Sequence, residues 1–260
     1  MGELFTDYVS NNTLEGENYL IVQQLSRYLI KTFKAAQGGV EPVGNAKYLM
    51  NFAQKKAIPS NLTSPLDFRN PANQLAFFAN RAGYLISQVC ERMDKLVANG
   101  ASFATAFRSV QWPAFRAARA HCFYTILFCF ITNVDIIKKE DPKIGSVLKS
   151  LCDLFACYNI EKDLGEFLEA SIISPNQGAT IHEVVELLLK EVRPNAVPLV
   201  DAFNFTDRDL NSALGAYDGN VYERMFQWAS KEKLNRTDVV ACYDDYIKPI
   251  LTKKWNSSKL

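Results

Sequence analysis

Apolar residues in this chain return every three or four positions, and no stretch alternates apolar and polar residues at a period of two, so its hydrophobic surface is suited to burial as helices rather than strands. Leu20, Ile21, Leu25, Tyr28, Leu29, Phe33 and Ala36 trace one face of a first helix, which Gly38-Gly39 ends. Residues 38–70 collect Pro42, Pro59 and Pro65 among Gly, Asn and Ser, the mark of an irregular crossing that leaves room for a short helix around 46–55. Pro71 suits a first helical turn, and Leu75, Phe78, Ala82, Leu85, Ile86, Val89, Met93 and Leu96 carry one face through to Gly100. The next helix is expected to start at Trp112-Pro113, because Pro113 would disrupt a helix begun at Ser102. Its apolar run from Cys122 to Ile131 makes it the element expected to be most buried. Further helices are expected from Asp141-Pro142 to about Tyr158, then over 161–170, 181–192, 197–203, 207–214, 221–230 and 238–253. The expected fold is all-α, built of antiparallel helical bundles.

With 260 residues, 48% of them hydrophobic, the chain can form one large or two small cores. A net charge of +1 gives no reason to expect a nucleic-acid partner. The Cys122–Ile131 run is half of the roughly 20 residues that a bilayer span needs, so no membrane span is expected. The six cysteines, Cys90, Cys122, Cys129, Cys152, Cys157 and Cys242, form no C-x-x-C pair and read as small core residues with free thiols. Of the two histidines, His121 sits on an apolar helix and reads as a hydrogen-bonded core residue, and His182, near a helix start, as an exposed one. Neither has a second ligand at helical spacing, so no metal site is expected.

Phosphate-binding glycine loops and the G-x-S-x-G elbow are absent. The best local candidate for chemistry is Glu15, a carboxylate next to Gly16 in a turn that opens the first helix. Glycine permits close backbone approach there, and a helix amino terminus favours negative charge. Taken alone, such a residue more often serves capping and the helix dipole. The last three residues, Ser258-Lys259-Leu260, match the S-K-L tripeptide read by the peroxisomal import receptor. The expected location is therefore the peroxisomal matrix, with that receptor as a partner.

Thr13-Leu14-Glu15-Gly16-Glu17-Asn18 resembles the T-x-E-G-E-N segment of the peroxisomal acyl-CoA oxidases. Arg119-Ala120-His121-Cys122, the block from Leu148 to Phe155, and the block from Arg193 to Phe203 resemble that family's carboxyl-terminal helices. So do Asp218-Gly219-Asn220-Val221-Tyr222-Glu223 and Phe226-Gln227-Trp228-Ala229, with S-K-L at the matching distance. The resemblance covers residues 13–260. It implies FAD-dependent desaturation of a fatty acyl-CoA to a trans-2-enoyl-CoA with hydrogen peroxide as co-product, in fatty-acid β-oxidation. Glu15 takes the place of the family's general base, and Gly16 and Glu17 would lie at the cofactor. The resemblance further implies a homodimer. It divides the chain into residues 1–100, the end of the dehydrogenase-like helical domain with a connecting loop, and 101–260, the oxidase carboxyl-terminal helical domain. Family members carry a helical domain and a β-domain ahead of the base, and these supply most flavin and acyl-CoA contacts. The chain therefore resembles a carboxyl-terminal portion, expected to be inactive alone. The alternative is a non-catalytic helical partner that dimerises with, or helps import, a full-length oxidase.

Overall fold

The computed structural model describes residues 6, 8–10, 18–54, 56, 62 and 64–252, and these form helices and connecting turns with no strand among them. The all-α expectation holds. Two compact units are present, one of residues 9–202 and one of residues 1–8 with 203–260. The larger contains α1 (Asn18–Gln37), α2 (Leu49–Ala53), α3 (Pro71–Ala98), α4 (Phe103–Ser109), α5 (Gln111–Glu140), α6 (Pro142–Lys162), α7 (Leu164–Glu169), α8 (Pro175–Val192) and α9 (Ala196–Asp201). The smaller contains α10 (Asp207–Leu210), α11 (Val221–Lys231), a π-turn at Tyr243–Ile247 and α12 (Lys248–Leu251).

Helix α3 organises the larger unit. Pro71 occupies its first position, and the Asn70 side chain accepts a 2.9 Å hydrogen bond from the Ala72 amide, meeting one of the orphan donors at the helix start. The helix is apolar on two faces and divides two cores. On one side Ala82, Ile86, Val89 and Met93 pack with Leu29, Ile30 and Phe33 of α1 and with Ala114, Ala117 and Ala118 of α5. On the other, Phe77 and Phe78 pack with Leu127 and Ile131 of α5, Ile160 of α6, and Ile181 and Leu188 of α8.

Helix α3 is thus the most buried element, not α5 as the Cys122–Ile131 run suggests. The reason is placement, since α3 packs extensively on α1, α2, α4, α5 and α7, whereas the extensive packing of α5 is on α1, α3 and α6. Helix α5 is long and apolar enough to cross a membrane by length and composition, yet Ile126, Phe128 and Ile136 on it are exposed. The cysteines follow the same geometry. Cys90, Cys152 and Cys157 are buried as expected, and burial pushes each thiol up to about 12, which keeps them protonated. Cys122 is half-buried, while Cys129, on the outer side of α5, and Cys242, before the π-turn, are exposed, contrary to the core reading.

Several boundaries differ from the pattern-based ones for local reasons. Helix α8 starts at Pro175, earlier than expected, because Ser174 and Gln177 form a capping box: the Ser174 hydroxyl accepts from the Gln177 amide, and the Gln177 side chain accepts from the Ser174 amide. Helix α10 stops at Leu210, where Asn211 turns left-handed at φ +40°. The expected 238–253 helix is reduced to the π-turn and α12, and Pro249 removes a backbone donor there.

Two ionic clusters lock the helices. The Arg81 side chain, 2% exposed, donates through Nε to Glu166 and through Nη2 to Asp163, each at 2.6 Å. Its guanidinium also lies 5.2 Å from the centre of the Phe167 ring. Arg116 and Arg119 of α5 approach the same two carboxylates at 2.7 and 3.7 Å. In the second cluster, the buried Asp153 carboxylate accepts from Gln74, Arg69 and Lys149. Arg69 then forks onto Glu191 through two 3.0 Å bonds, and Ser150 also donates to Glu191. Helix α6 lies against the backbone of α5 at Gly145, where a Cβ would stand 2.5 Å from Lys138 Cα and 2.9 Å from its amide nitrogen.

Two stability measurements test this frame. Gly145→Ala should lose about 1–3 kcal/mol in urea denaturation, because the clash is with backbone and outweighs the better helix propensity of alanine. Arg81→Met should lose about 3–5 kcal/mol by stranding two carboxylates in a low-dielectric corner. A loss below about 1 kcal/mol would mean that Arg116 and Arg119 satisfy them unaided.

Candidate active site

The segment singled out by sequence, Glu15-Gly16-Glu17, lies outside the described residues, as do Ser258, Lys259 and Leu260. What is described is the helix that follows the segment and how it is held. Helix α1 buries Leu29, Ile30, Phe33 and Ala36 and exposes Tyr19, Leu20 and Ile21 at its start. Ser26, buried midway, donates to the Val22 carbonyl at 2.9 Å and to the Ala114 carbonyl of α5 at 3.0 Å. That second contact pins α1 to the first turns of α5. Three rings gather beside it: Tyr19 stacks on Phe115 at 4.4 Å between centroids, Trp112 on Phe115 at 5.5 Å, and Tyr19 lies 6.4 Å from Trp112. In the sequence Trp112 marks a helix start, and Tyr19 carries no signal of its own. Aromatic residues at 19, 112 and 115 carry no periodic signal that joins them, because the chain between forms three other elements.

The histidines behave as expected. His121 is buried, and its Nδ1 lies 3.0 Å from the Tyr48 hydroxyl, with Tyr124 packed edge-on against Tyr48 at 4.7 Å. Burial lowers the His121 pKa below its ordinary 6.5 and raises that of Tyr48, so the pair is neutral. His182 is exposed on α8, with Nδ1 2.6 Å from Glu161. Among the described residues no three His, Cys, Asp or Glu side chains are placed to hold a metal ion.

Two clefts in the larger unit are apolar. One of about 320 Å³ lies between α6 and α9, walled by Ile144, Val147, Leu148, Pro198 and Leu199, with Lys143 at its edge. The other, of about 290 Å³, is walled by Leu151, Leu154, Phe155 and Tyr158 of α6 with Leu189 of α8. Neither has a carboxylate, imidazole or thiol in its wall, so neither offers acid–base or nucleophilic chemistry.

The acyl-CoA oxidase family model matches residues 70–252. The chain belongs to the acyl-CoA oxidase family. Peroxisomal acyl-coenzyme A oxidase 1 of Arabidopsis thaliana is 35% identical over 260 residues, which are 99% of this chain and 38% of that protein. The Homo sapiens protein of the same name is 32% identical over 243 residues, 92% of this chain and 36% of that one. Among solved structures, Arabidopsis thaliana acyl-CoA oxidase 1 superposes with a TM-score of 0.86 at 34% identity, covering 97% of this chain and 38% of its own. Acyl-CoA oxidase-2 of Caenorhabditis elegans, solved with FAD, ascaroside-CoA and ATP, gives 0.82 at 31% identity, covering 95% and 35%. The chain thus spans little more than a third of the length of these relatives. The relatives named above from Arabidopsis and human are peroxisomal, in agreement with the location expected from the S-K-L end.

The His121 environment has a consequence for pH. The unfolded chain takes up a proton near pH 6.5, and the folded chain only at a lower pH, so stability should fall as the medium is acidified below about 6.5, by up to roughly 1.4 kcal/mol per pH unit. The groups facing the imidazole, Tyr48 and Tyr124, are neutral throughout this window. In His121→Gln this slope should vanish between pH 6.5 and 5, as read from urea midpoints at each pH.

Proposed function

We propose that this chain is the portion of an FAD-dependent peroxisomal acyl-CoA oxidase that carries the general base, and that Glu15 is that base. It acts when joined to, or assembled with, the remainder of such an enzyme, as a homodimer, on a fatty acyl-CoA. The observation that carries this reading is the E-G-E-N sequence at residues 15–18, directly ahead of a helix anchored in a fold shared with acyl-CoA oxidases. The Glu15 carboxylate would take the α-proton of the acyl-CoA thioester, and Gly16 would let the backbone approach the reacting group closely. FAD, when bound, supplies the acceptor for the β-hydrogen and passes the electrons to oxygen. A carboxylate in this role works best when shielded from water, so that its proton affinity rises toward the working pH.

The residues present fit one edge of a flavin site. The exposed rings of Tyr19 and Trp112 stand beside the start of α1. The nearby cations Arg116 and Arg119 are already paired with Glu166 and Asp163, so the cofactor's pyrophosphate needs its cations from elsewhere in the enzyme. Most of the flavin site is therefore assigned to the part of an oxidase that this chain does not span. The reading retains the division at residue 100, where Gly100, left-handed at φ +89°, closes α3.

A second reading is favoured by the uncovered apolar clefts and by the exposed side of α5: a non-catalytic helical partner that dimerises with a complete oxidase. Failure to co-purify with a full-length acyl-CoA oxidase would count against it.

The oxidase reading is tested by grafting residues 13–260 onto the amino-terminal portion of a full-length acyl-CoA oxidase. Glu15→Gln in that chimera should retain bound flavin, seen in its visible spectrum, while lowering acyl-CoA-dependent peroxide formation at least about a hundredfold. Undiminished peroxide formation would remove Glu15 from the role.

A further inference from the structure

Helix α11 is turned the opposite way from an ordinary surface helix, which buries its apolar stripe. Tyr222, Met225, Phe226 and Ala229 share one of its faces, at the three- and four-residue steps of a helix, with Trp228 beside them. That face is exposed, with Tyr222 at 88% and Phe226 at 70%. The half-buried residues of α11 are Val221 and the cation Arg224. Arg224 donates to Asp207 at 3.2 Å and to Asp218 at 3.1 Å. The two carboxylates are themselves held, Asp207 by the Tyr217 amide and Asp218 by the Asn220 amide, each at 2.9 Å. Ion pairs therefore set the rotation of α11, and they hold its apolar face outward.

Size and charge select what covers this face. Its large side chains present on the order of 500 Å² of apolar surface. That is less than the roughly 800 Å² per side of a freestanding complex. A surface on the same polypeptide needs less area, because the tether supplies a high effective concentration. A lipid surface is disfavoured by charge: Arg224 is already paired, and Glu223 and Lys231 offset one another, so α11 lacks the cationic excess of an interfacial helix. On the oxidase reading, on which this inference rests, the amino-terminal portion of the enzyme joins the chain ahead of Glu15. Thr6 and Tyr8, from that stretch, belong to the same compact unit as α11.

We propose that the Tyr222, Met225, Phe226 and Ala229 face of α11 docks, as a helix in a groove, on an apolar and uncharged surface of the amino-terminal portion of the oxidase polypeptide. The Asp218-Gly219-Asn220-Val221-Tyr222-Glu223 and Phe226-Gln227-Trp228-Ala229 blocks then have a physical role: the first carries part of the clamp that aims the helix, and both carry its anchors. These residues take no part in proton or hydride transfer.

The test compares amide hydrogen exchange over residues 221–231 in the 260-residue chain and in the chimera of an oxidase amino-terminal portion with residues 13–260. Exchange there should be at least about tenfold slower in the chimera. Phe226→Glu in the chimera should restore the rate of the 260-residue chain, and Phe226→Leu should not. Because Phe226 is exposed, the 260-residue chain carrying Phe226→Glu should keep its native circular dichroism, which separates undocking from unfolding. Equal exchange of α11 in the chimera and in the 260-residue chain overturns the proposal. So does sedimentation of the 260-residue chain as a dimer that Phe226→Glu dissociates, which assigns the face to a second copy. Co-sedimentation of that chain with phosphatidylcholine–phosphatidylserine vesicles also overturns it, in favour of a lipid surface. In each of these cases a chimera that binds flavin and forms peroxide keeps the oxidase reading. A chimera that protects α11 yet forms no peroxide sinks that reading and leaves the docking in place.

Discussion

Burial of the Arg81 guanidinium is the constraint around which the larger unit is arranged. A charge taken out of water must be met by counter-charges at hydrogen-bond distance, and here both come from one corner, Asp163 at the end of α6 and Glu166 in the first turn of α7. Meeting them fixes the rotation of α3, since Arg81 must face that corner. Phe77 and Phe78 then fall on the side of α8, and Ile86 and Met93 on the side of α1. Arg116 and Arg119 are drawn to the same carboxylates, which sets the rotation of the first half of α5. The hydrophobic cores supply the driving force, and the ionic corner selects one of the packings those cores would tolerate.

That rotation of α5 reaches the candidate active site. With Arg116 and Arg119 turned to the α6–α7 corner, Trp112 and Phe115 meet the first turn of α1, and the Ala114 carbonyl receives the Ser26 hydroxyl. Helix α1 is thereby tied to α5 by a buried hydrogen bond that a slip between the two helices would break. The segment that carries Glu15 leads directly into this anchored helix.

The all-α class and most helix positions were legible because period and punctuation are local signals. Proline at residues 71, 113 and 142, and glycine at 39 and 100, act within a few positions of themselves. The start of α8 is also written locally, in the capping pair Ser174 and Gln177, a signal separate from the apolar run that begins at Ile181. What could not be read was long-range. Arg81 and Asp163 are separated by 82 positions, and Ser26 and Ala114 by 88, and nothing in the spacing of either pair announces a contact. The centrality of α3 over α5 was hidden for the same reason. Burial depends on how many neighbours surround a helix, and apolar content alone does not report it.

The excess apolar surface of α5 has a physical meaning of its own. A helix that is hydrophobic on every side is ordinarily buried on every side, yet α5 leaves Ile126, Phe128 and Ile136 exposed. The clefts beside α6 are apolar as well, and α11 in the smaller unit exposes Tyr222, Met225 and Phe226. A chain that spans little more than a third of its relatives' length carries, in these faces, sequence suited to more contact than it makes. The frame of α3, α5 and α6 pairs its buried charges internally, and among the described residues Gln74 Oε1, Arg81 Nη1 and Thr125 Oγ1 are buried side-chain atoms without a hydrogen-bond partner. Its exposed apolar side chains, Ile126, Phe128 and Ile136 of α5 and Ile144 of α6, are the kind of surface that a further protein surface covers with little polar desolvation. This asymmetry is what the oxidase reading requires of a portion that folds around its own ionic corners while its base becomes effective only against the rest of the enzyme.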